Sequence, residues 1–290
     1  MTCEVIVIDA RRVELHDAFL RFIPRVFRTI SFDKWYALGG WPAGYRAFVI
    51  RDGDDVIANV SVQKMQLIVR GQQQVGWQIG AVGVVPDARG RGLQRQLMTH
   101  VLAELDPREL VFLFANEDVL DFYPLFGFRR VLEWVYAADM HIEPQPSTLR
   151  RLSVESSADR ELLWRIAKQA PPVTERFGAQ DYGGVLFWYW TNFHEHDFYY
   201  HEQDDAIVIA EEDCEVLRVL DVVAARAVDL ASYLPQLATT PIDHIEFGFT
   251  PEKIWPSATP FCEYLESPLF VRGALTLPTV PFKFPVLAQT

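Results

Sequence analysis

The spacing of apolar residues changes repeatedly along the first half of the chain, and each change marks an element. Val5–Asp9 is a short apolar run and reads as a strand. Leu15, Phe19, Phe22, Ile23 and Val26 then recur at helical spacing, which predicts a helix over Arg12–Arg28. Arg46–Arg51 and Val56–Gln63 read as strands on either side of Asp52-Gly53-Asp54-Asp55, a strong hairpin signal. Met65–Val69, a turn at Arg70-Gly71-Gln72 and Val75–Val85 extend this into an antiparallel meander. Leu93, Leu97, Val101 and Leu105 line one face of a helix running from Gly92 to Asp106-Pro107. Leu110–Ala115 reads as a buried strand, Val119–Phe126 as a short helix and Arg129–Met140 as a closing strand.

Glu143-Pro-Gln-Pro-Ser147 has the composition of a linker. Beyond it the order recurs: helices over Ser157–Gln169, with Ser157 as cap, and Val185–Phe193; a hairpin of Phe198–His201 and Ala206–Ala210; a strand over Glu215–Ala224; a helix over Val228–Leu237; and strands over Ile245–Phe249 and Phe270–Leu277. The expected fold is therefore α/β, with a mixed, largely antiparallel central sheet flanked by helices, present twice. The expected domains are 1–145 and 146–290. Aromatic residues fall on every face of the 185–193 helix, so it should be buried all round, by default as core packing and otherwise at an interdomain contact or as a lid over a cleft.

Composition narrows the class. Half of the 290 residues are hydrophobic and 23% are charged, ordinary for a chain that buries a core. No apolar run approaches a membrane span, and the start MTCEVIVIDARR lacks the cationic beginning of a signal peptide. Three widely spaced cysteines fit a reducing cytoplasm rather than a disulfide framework or a zinc knuckle. The formal net charge is −12, most of it after Glu143. Such a chain repels nucleic acid and would welcome a cationic substrate. His194, His196 and His201 lack a Cys or a helix-spaced Glu to complete a zinc set, so no metal is expected and they read as solvated turn histidines. A homodimer stays open.

The stretch that carries chemistry is Gly80-Ala-Val-Gly-Val-Val-Pro-Asp-Ala-Arg-Gly-Arg-Gly-Leu-Gln-Arg95. An apolar strand is stopped by proline, and Arg89-Gly90-Arg91-Gly92 opens a helix. Glycines at such a turn let backbone N–H groups approach an anion, which the positive end of the helix favours. Gly80 and Gly83 inside the strand indicate a bulge or a ligand running beside the backbone. There is no Gly-x-x-x-x-Gly-Lys, and Arg95 stands where a dinucleotide fingerprint needs glycine.

Val84-Val-Pro-Asp-Ala-Arg89-Gly-Arg-Gly92-Leu-Gln-Arg resembles the acyl-CoA signature of the GCN5-related N-acetyltransferases (GNAT), Arg/Gln-x-x-Gly-x-Gly/Ala after a central strand. Arg89 and Gly92 match; Gln94 replaces the final small residue, which gives up one close backbone contact. Asn116 after the next strand, and Tyr123 opening Tyr-Pro-Leu-Phe-Gly-Phe128, resemble a second motif of that family. The resemblance covers roughly Val5 to Met140 and extends to the second half by topology alone, as in tandem GNAT proteins.

It implies an acetyl-CoA-dependent N-acetyltransferase acting on a primary amine of a small molecule or peptide, which attacks the thioester directly. Val82, Gly83 and Val84 would hold the pantetheine and Asn116 would lie near it; Gly90, Arg91, Gly92, Leu93, Gln94 and Arg95 would bind pyrophosphate with Arg89. Tyr123 would protonate the departing thiolate. Trp77 and Gln78 stand where family members often carry a carboxylate base; a water chain, Glu117, Asp118 or the carboxylate of Thr290 could take the proton, or the amine could enter neutral. Asp33, Trp35, Tyr36 and Trp41 lie where the family shapes its acceptor site, either as an aromatic wall with one carboxylate or as a packed cluster under a loop. In the second half, Ala225-Arg226-Ala227-Val228 follows the strand with no glycine pair, so that copy should not wrap pyrophosphate. The alternative is a catalytically inactive acyl-CoA-binding sensor.

Overall fold

A computed structural model describes residues 3–274 and 276–290. The first elements are β1 (Ile6–Ile8), α1 (His16–Val26), α2 (Asp33–Ala37), β2 (Tyr45–Asp52), β3 (Asp55–Val69), β4 (Gln72–Val84), α3 (Leu93–Glu104), β5 (Leu110–Phe114), β6 (Arg129–Val131) and β7 (Trp134–Ile142). There follow β8 (Arg150–Arg151), α4 (Ser157–Gln169), β9 (Phe177–Gln180), α5 (Gly183–Asn192), β10 (Phe198–His201), β11 (Ala206–Asp213), β12 (Val216–Ala224), α6 (Leu230–Leu237), β13 (Ile242–Phe247), β14 (Thr259–Glu263) and β15 (Leu269–Arg272). They make a mixed α/β fold of two largely antiparallel sheets flanked by helices, as expected.

The first sheet has the order β1-β2-β3-β4-β5-β15-β6, with β9 beside the far end of β3; the second has the order β14-β7-β13-β12-β11-β10-β8. Within each, one pair is parallel, β4 with β5 and β12 with β13, and each pair is joined through a helix. The sheets share a plan, and they also exchange strands. β15, from the second half, fills the place between β5 and β6, and β7, from the first half, fills the place between β13 and β14. The sheets thus do not part at 145/146. The core agrees: Phe19, Trp35 and Leu97 belong to one continuous buried cluster with Leu186, Phe187, Trp190, Phe198 and Leu220.

The closing strand expected over Arg129–Met140 is broken at Leu132-Glu133, where the chain crosses between sheets. Glu133 is fully buried there. Its carboxylate accepts the Phe284 N–H at 2.6 Å and lies 3.6 Å from the equally buried ammonium of Lys283. These contacts lock the crossing against the chain's final segment. Other departures are local. In place of the helix expected over Val119–Phe126 the chain forms two 3-10 turns, Glu117–Val119 and Tyr123–Phe126, the second with Pro124 in its first positions. The cap of α4 is Ser156, whose Oγ accepts the Asp159 N–H at 3.3 Å, not Ser157. β9 and β14 were not foreseen. Within the strand expected over Phe270–Leu277, Leu275 lies outside the described residues, and β15 ends at Arg272.

One buried acid links the start of α5 to β12. Asp221 of β12 is fully buried, accepts the Tyr182 hydroxyl at 2.5 Å and the Val222 N–H at 2.8 Å, and is pushed up to about 6 by burial. A carboxyl raised in the folded state binds its proton more tightly there than in the unfolded chain. The folded state is therefore favoured below the ordinary carboxylate range and loses that advantage as pH rises to about 6. Urea midpoints of the wild type should fall between pH 4 and 6 relative to those of Asp221→Asn, which lacks the titrating group. Parallel pH profiles of the two proteins would refute this.

Candidate active site

β4 and β5 pair only from Gly76 with Leu110 to Ile79 with Leu113. Beyond Ile79 they diverge, leaving Gly80–Val84 without a partner on that side among the described residues. On its other side β4 bulges against β3, where the register shifts between Asn59 and Ser61 and Ala81 takes φ 47°. The bulge is held by Asn59, fully buried, whose Nδ2 donates to the Ala81 carbonyl at 2.6 Å and to Ser61 Oγ at 2.9 Å. Gly80 and Gly83 are needed for close approaches. A Cβ at Gly80 would lie 2.7 Å from Thr290 Oγ1, and one at Gly83 would lie 2.4 Å from Val26 Cγ1 of α1.

Into the gap between the diverging strands runs the segment ending at Thr290. Gln78, fully buried on β4, fixes it: its Nε2 donates to the Ala288 carbonyl at 2.9 Å and its Oε1 accepts the Thr290 N–H at 2.5 Å. Gln78 is thus a clamp. A cavity of about 500 Å³ opens here, with Thr290, Val82, Gln94, Asn116 and Tyr123 among the residues of its wall.

Gln94 brings the start of α3 to that wall. Gly90 and Gly92 both adopt φ 74°, a left-handed conformation that glycine tolerates, and Gly92 caps the helix with no side chain and no acid in the first turn. The first amides of α3 therefore point outward unclaimed, with Arg89, Arg91 and Arg95 around them. A Cβ at Gly90 or Gly92 would meet nothing within 4 Å, so the turn is open on its outer face. Arg89 is tied back by its Nε to the Val84 carbonyl at 3.3 Å. The turn is the kind of cradle a diphosphate fills.

Tyr123 lies at the start of its 3-10 turn, packed against Phe128 and Phe270, with 5% of its surface exposed. Burial pushes its hydroxyl up to about 12, so it holds its proton throughout the neutral range. Glu117 and Asp118 are exposed and do not line the cavity.

Of the expected acceptor residues only Trp35 reaches the cavity. Tyr36 and Trp41 pack with the buried His16, whose Nδ1 lies 3.1 Å from the Tyr36 hydroxyl and whose ring stacks on Trp41 at 4.0 Å. Asp33 accepts the Ser31 hydroxyl at 2.9 Å and is not in the wall. The residues that join Trp35 instead come largely from elsewhere: Phe32, Tyr45, and Gly184, Val185 and Trp188 of α5. α5 thus lines the cavity, but it is not buried all round as its aromatic pattern implied: Trp188 and Tyr189 are half-buried and Phe193 is exposed. Of the three histidines, His196 is exposed as expected, and His194 and His201 are not. His194 is half-buried and meets Asp197 at 2.9 Å and Glu211 at 3.7 Å, so that one ligand atom from each falls within 4.8 Å of the others. His201 bonds Asp204 at 2.9 Å.

Residues 14–131 match the family model of the acetyltransferase (GNAT) domain. That span holds the β4 bulge, the start of α3, Asn116 and Tyr123. No curated protein sequence matches the chain significantly. Among solved structures, a protein of Enterococcus faecalis V583 described as a probable N-acyltransferase aligns with 94% of this chain and 72% of its own, at 14% identity and a TM-score of 0.59. Eis1 from Mycobacterium abscessus aligns over 92% and 73%, at 17% identity and a TM-score of 0.53. A GCN5-related N-acetyltransferase from Anabaena variabilis ATCC 29413 aligns over 93% and 72%, at 17% identity and a TM-score of 0.50. At these identities the likeness is one of fold, the acyl-CoA N-acyltransferase fold. No helix among the described residues is long and apolar enough to cross a membrane.

Proposed function

We propose that the protein transfers an acetyl group from acetyl-CoA to a primary amine. The observation that carries this reading is the meeting, at one cavity, of an uncapped helix start, an unpaired stretch of β4 and a buried, protonated tyrosine. Acetyl-CoA would supply the activated thioester. The amides of Leu93, Gln94 and Arg95, with the charges of Arg89 and Arg91, suit its diphosphate. The free backbone edge from Gly80 to Val84 suits the amides of its pantetheine arm, and Asn116 stands on the opposite lip.

Tyr123 suits the donation of a proton to a departing thiolate, since it lines the cavity, burial keeps its hydroxyl protonated and its ring is held against Phe128 and Phe270. The main-chain amides of the β4 bulge are the donors available to a carbonyl oxygen in the gap. The second half, in this reading, is a degenerate relative of the first. α6 starts after Ala225-Arg226-Ala227 without left-handed glycines, and α5 covers the cleft.

Calorimetric titration with acetyl-CoA tests this directly. The wild type should bind, and Gly92→Trp should bind at least about tenfold more weakly, because the ring would cover the amides a diphosphate needs. Circular dichroism should show the variant folded. A wild type that does not bind acetyl-CoA would end the transferase reading; one that binds but acetylates no amine would favour the sensor alternative.

A further inference from the structure

The chain's charge of −12 stops at the cavity's edge. Among the described residues, no aspartate or glutamate side chain lines it, and Arg28 is the single charged side chain that does. Arg28 is exposed and makes no ion pair among the described residues. The acidic surface that favours a cationic substrate from a distance therefore offers it no side-chain counter-charge at close range.

What the cavity offers instead is aromatic. Phe32, Trp35, Tyr45 and Trp188 form a continuous wall, with Phe32 5.3 Å from Trp35 and 5.9 Å from Trp188, and Trp35 6.2 Å from Tyr45. Phe32 and Trp35 meet at 87° and Trp35 and Tyr45 at 73°, so the rings close edge to face upon one another rather than presenting a box of open faces to a cation. Two hydrogen-bonding groups of the wall are settled within the protein: the Tyr45 hydroxyl donates to Ser61 Oγ at 2.8 Å, and Trp35 Nε1 donates to the Gly184 carbonyl at 3.3 Å. One is not. Trp188 Nε1 is buried and finds no partner.

We propose that the acceptor is a single primary amine carried on an aromatic body, and not a polyamine. The proposal rests on the acetyltransfer reading and specifies its substrate. An aromatic body replaces water along the Phe32–Trp35–Trp188 wall. A second or third ammonium would be stripped of water with no carboxylate side chain beside it, under the repulsion of Arg28.

The test is a rate comparison by thiol release from acetyl-CoA, with tyramine, spermidine and kanamycin as acceptors. Tyramine should exceed both polycations in kcat/KM by at least about tenfold. Trp188→Ala should raise the KM for tyramine about tenfold while the Kd for acetyl-CoA, measured by calorimetry, stays unchanged. Arg28→Glu, an exchange on the surface, should raise the use of spermidine relative to tyramine. Equal or better use of spermidine or kanamycin by the wild type would overturn the proposal, as would an unchanged tyramine KM in Trp188→Ala. So would acetyl-CoA binding with no turnover of tyramine. Failure to bind acetyl-CoA at all is a separate result, which removes the transferase reading itself.

Discussion

Tyr123→Phe should lower kcat by about 10²- to 10⁴-fold, the range that a positioned general acid contributes, while leaving the affinity for acetyl-CoA close to that of the wild type. The substitution removes one oxygen and keeps the ring that packs on Phe128 and Phe270. Its effect should therefore fall on proton delivery and not on the fold. In the wild type the acidic form of Tyr123 should persist to about pH 12, so no loss of activity across the neutral range is expected from this group. Initial rates at saturating acetyl-CoA, with a thermal melt as control, decide the matter. A variant with unaltered kcat would assign the proton to another donor.

Lys283→Met should destabilise the protein by about 3–5 kcal/mol, the usual cost of leaving one member of a buried ion pair alone. Glu133 and Lys283 are both fully buried, 3.6 Å apart, with the Lys283 ammonium also 3.2 Å from the centroid of the Tyr264 ring. Burial pushes the Glu133 carboxyl up and the Lys283 ammonium down, each toward its neutral form. With the ammonium gone, Glu133 must be buried as an anion or take a proton, so the loss in Lys283→Met should shrink as pH falls. The double variant Glu133→Gln/Lys283→Met, which keeps an acceptor for the Phe284 N–H, should recover most of the stability. Urea unfolding of both variants and the wild type measures this. Additive losses in the double variant would mean that the pair is not coupled.

Sequence reasoning reached furthest where structure depends on neighbours in the chain. The run from Gly80 to Arg95 sets a bulge, a stop and an uncapped helix within sixteen consecutive residues, and each follows from glycine, proline and apolar spacing at known positions. α4 and α5 were legible for the same reason. The exchange of β7 and β15 was not, because nothing in Trp134–Ile142 or Leu269–Arg272 marks which sheet it joins; an apolar strand fits either edge. Gln78 read as a residue standing where a base belongs, since its partner at Thr290 lies 212 residues away. The acceptor wall was half legible. α2 is only five residues long, so of Asp33, Trp35 and Tyr36 one turn can direct only one inward, and composition does not say which. Trp188 carried a signal, an aromatic run denser than a helix core needs, but no local feature tied it to Trp35.

The exchanged strands also bear on how the molecule is made. As synthesis proceeds, β5 emerges with a free edge, and β6, three residues long, has nothing to pair with until Leu269–Arg272 leaves the ribosome. Contacts between residues separated by about half the chain form late and slow folding. The first half must therefore wait, with an apolar strand edge exposed to other chains, for most of the second to be translated. The same exchange ties the two halves together: removing either would open a sheet in the other.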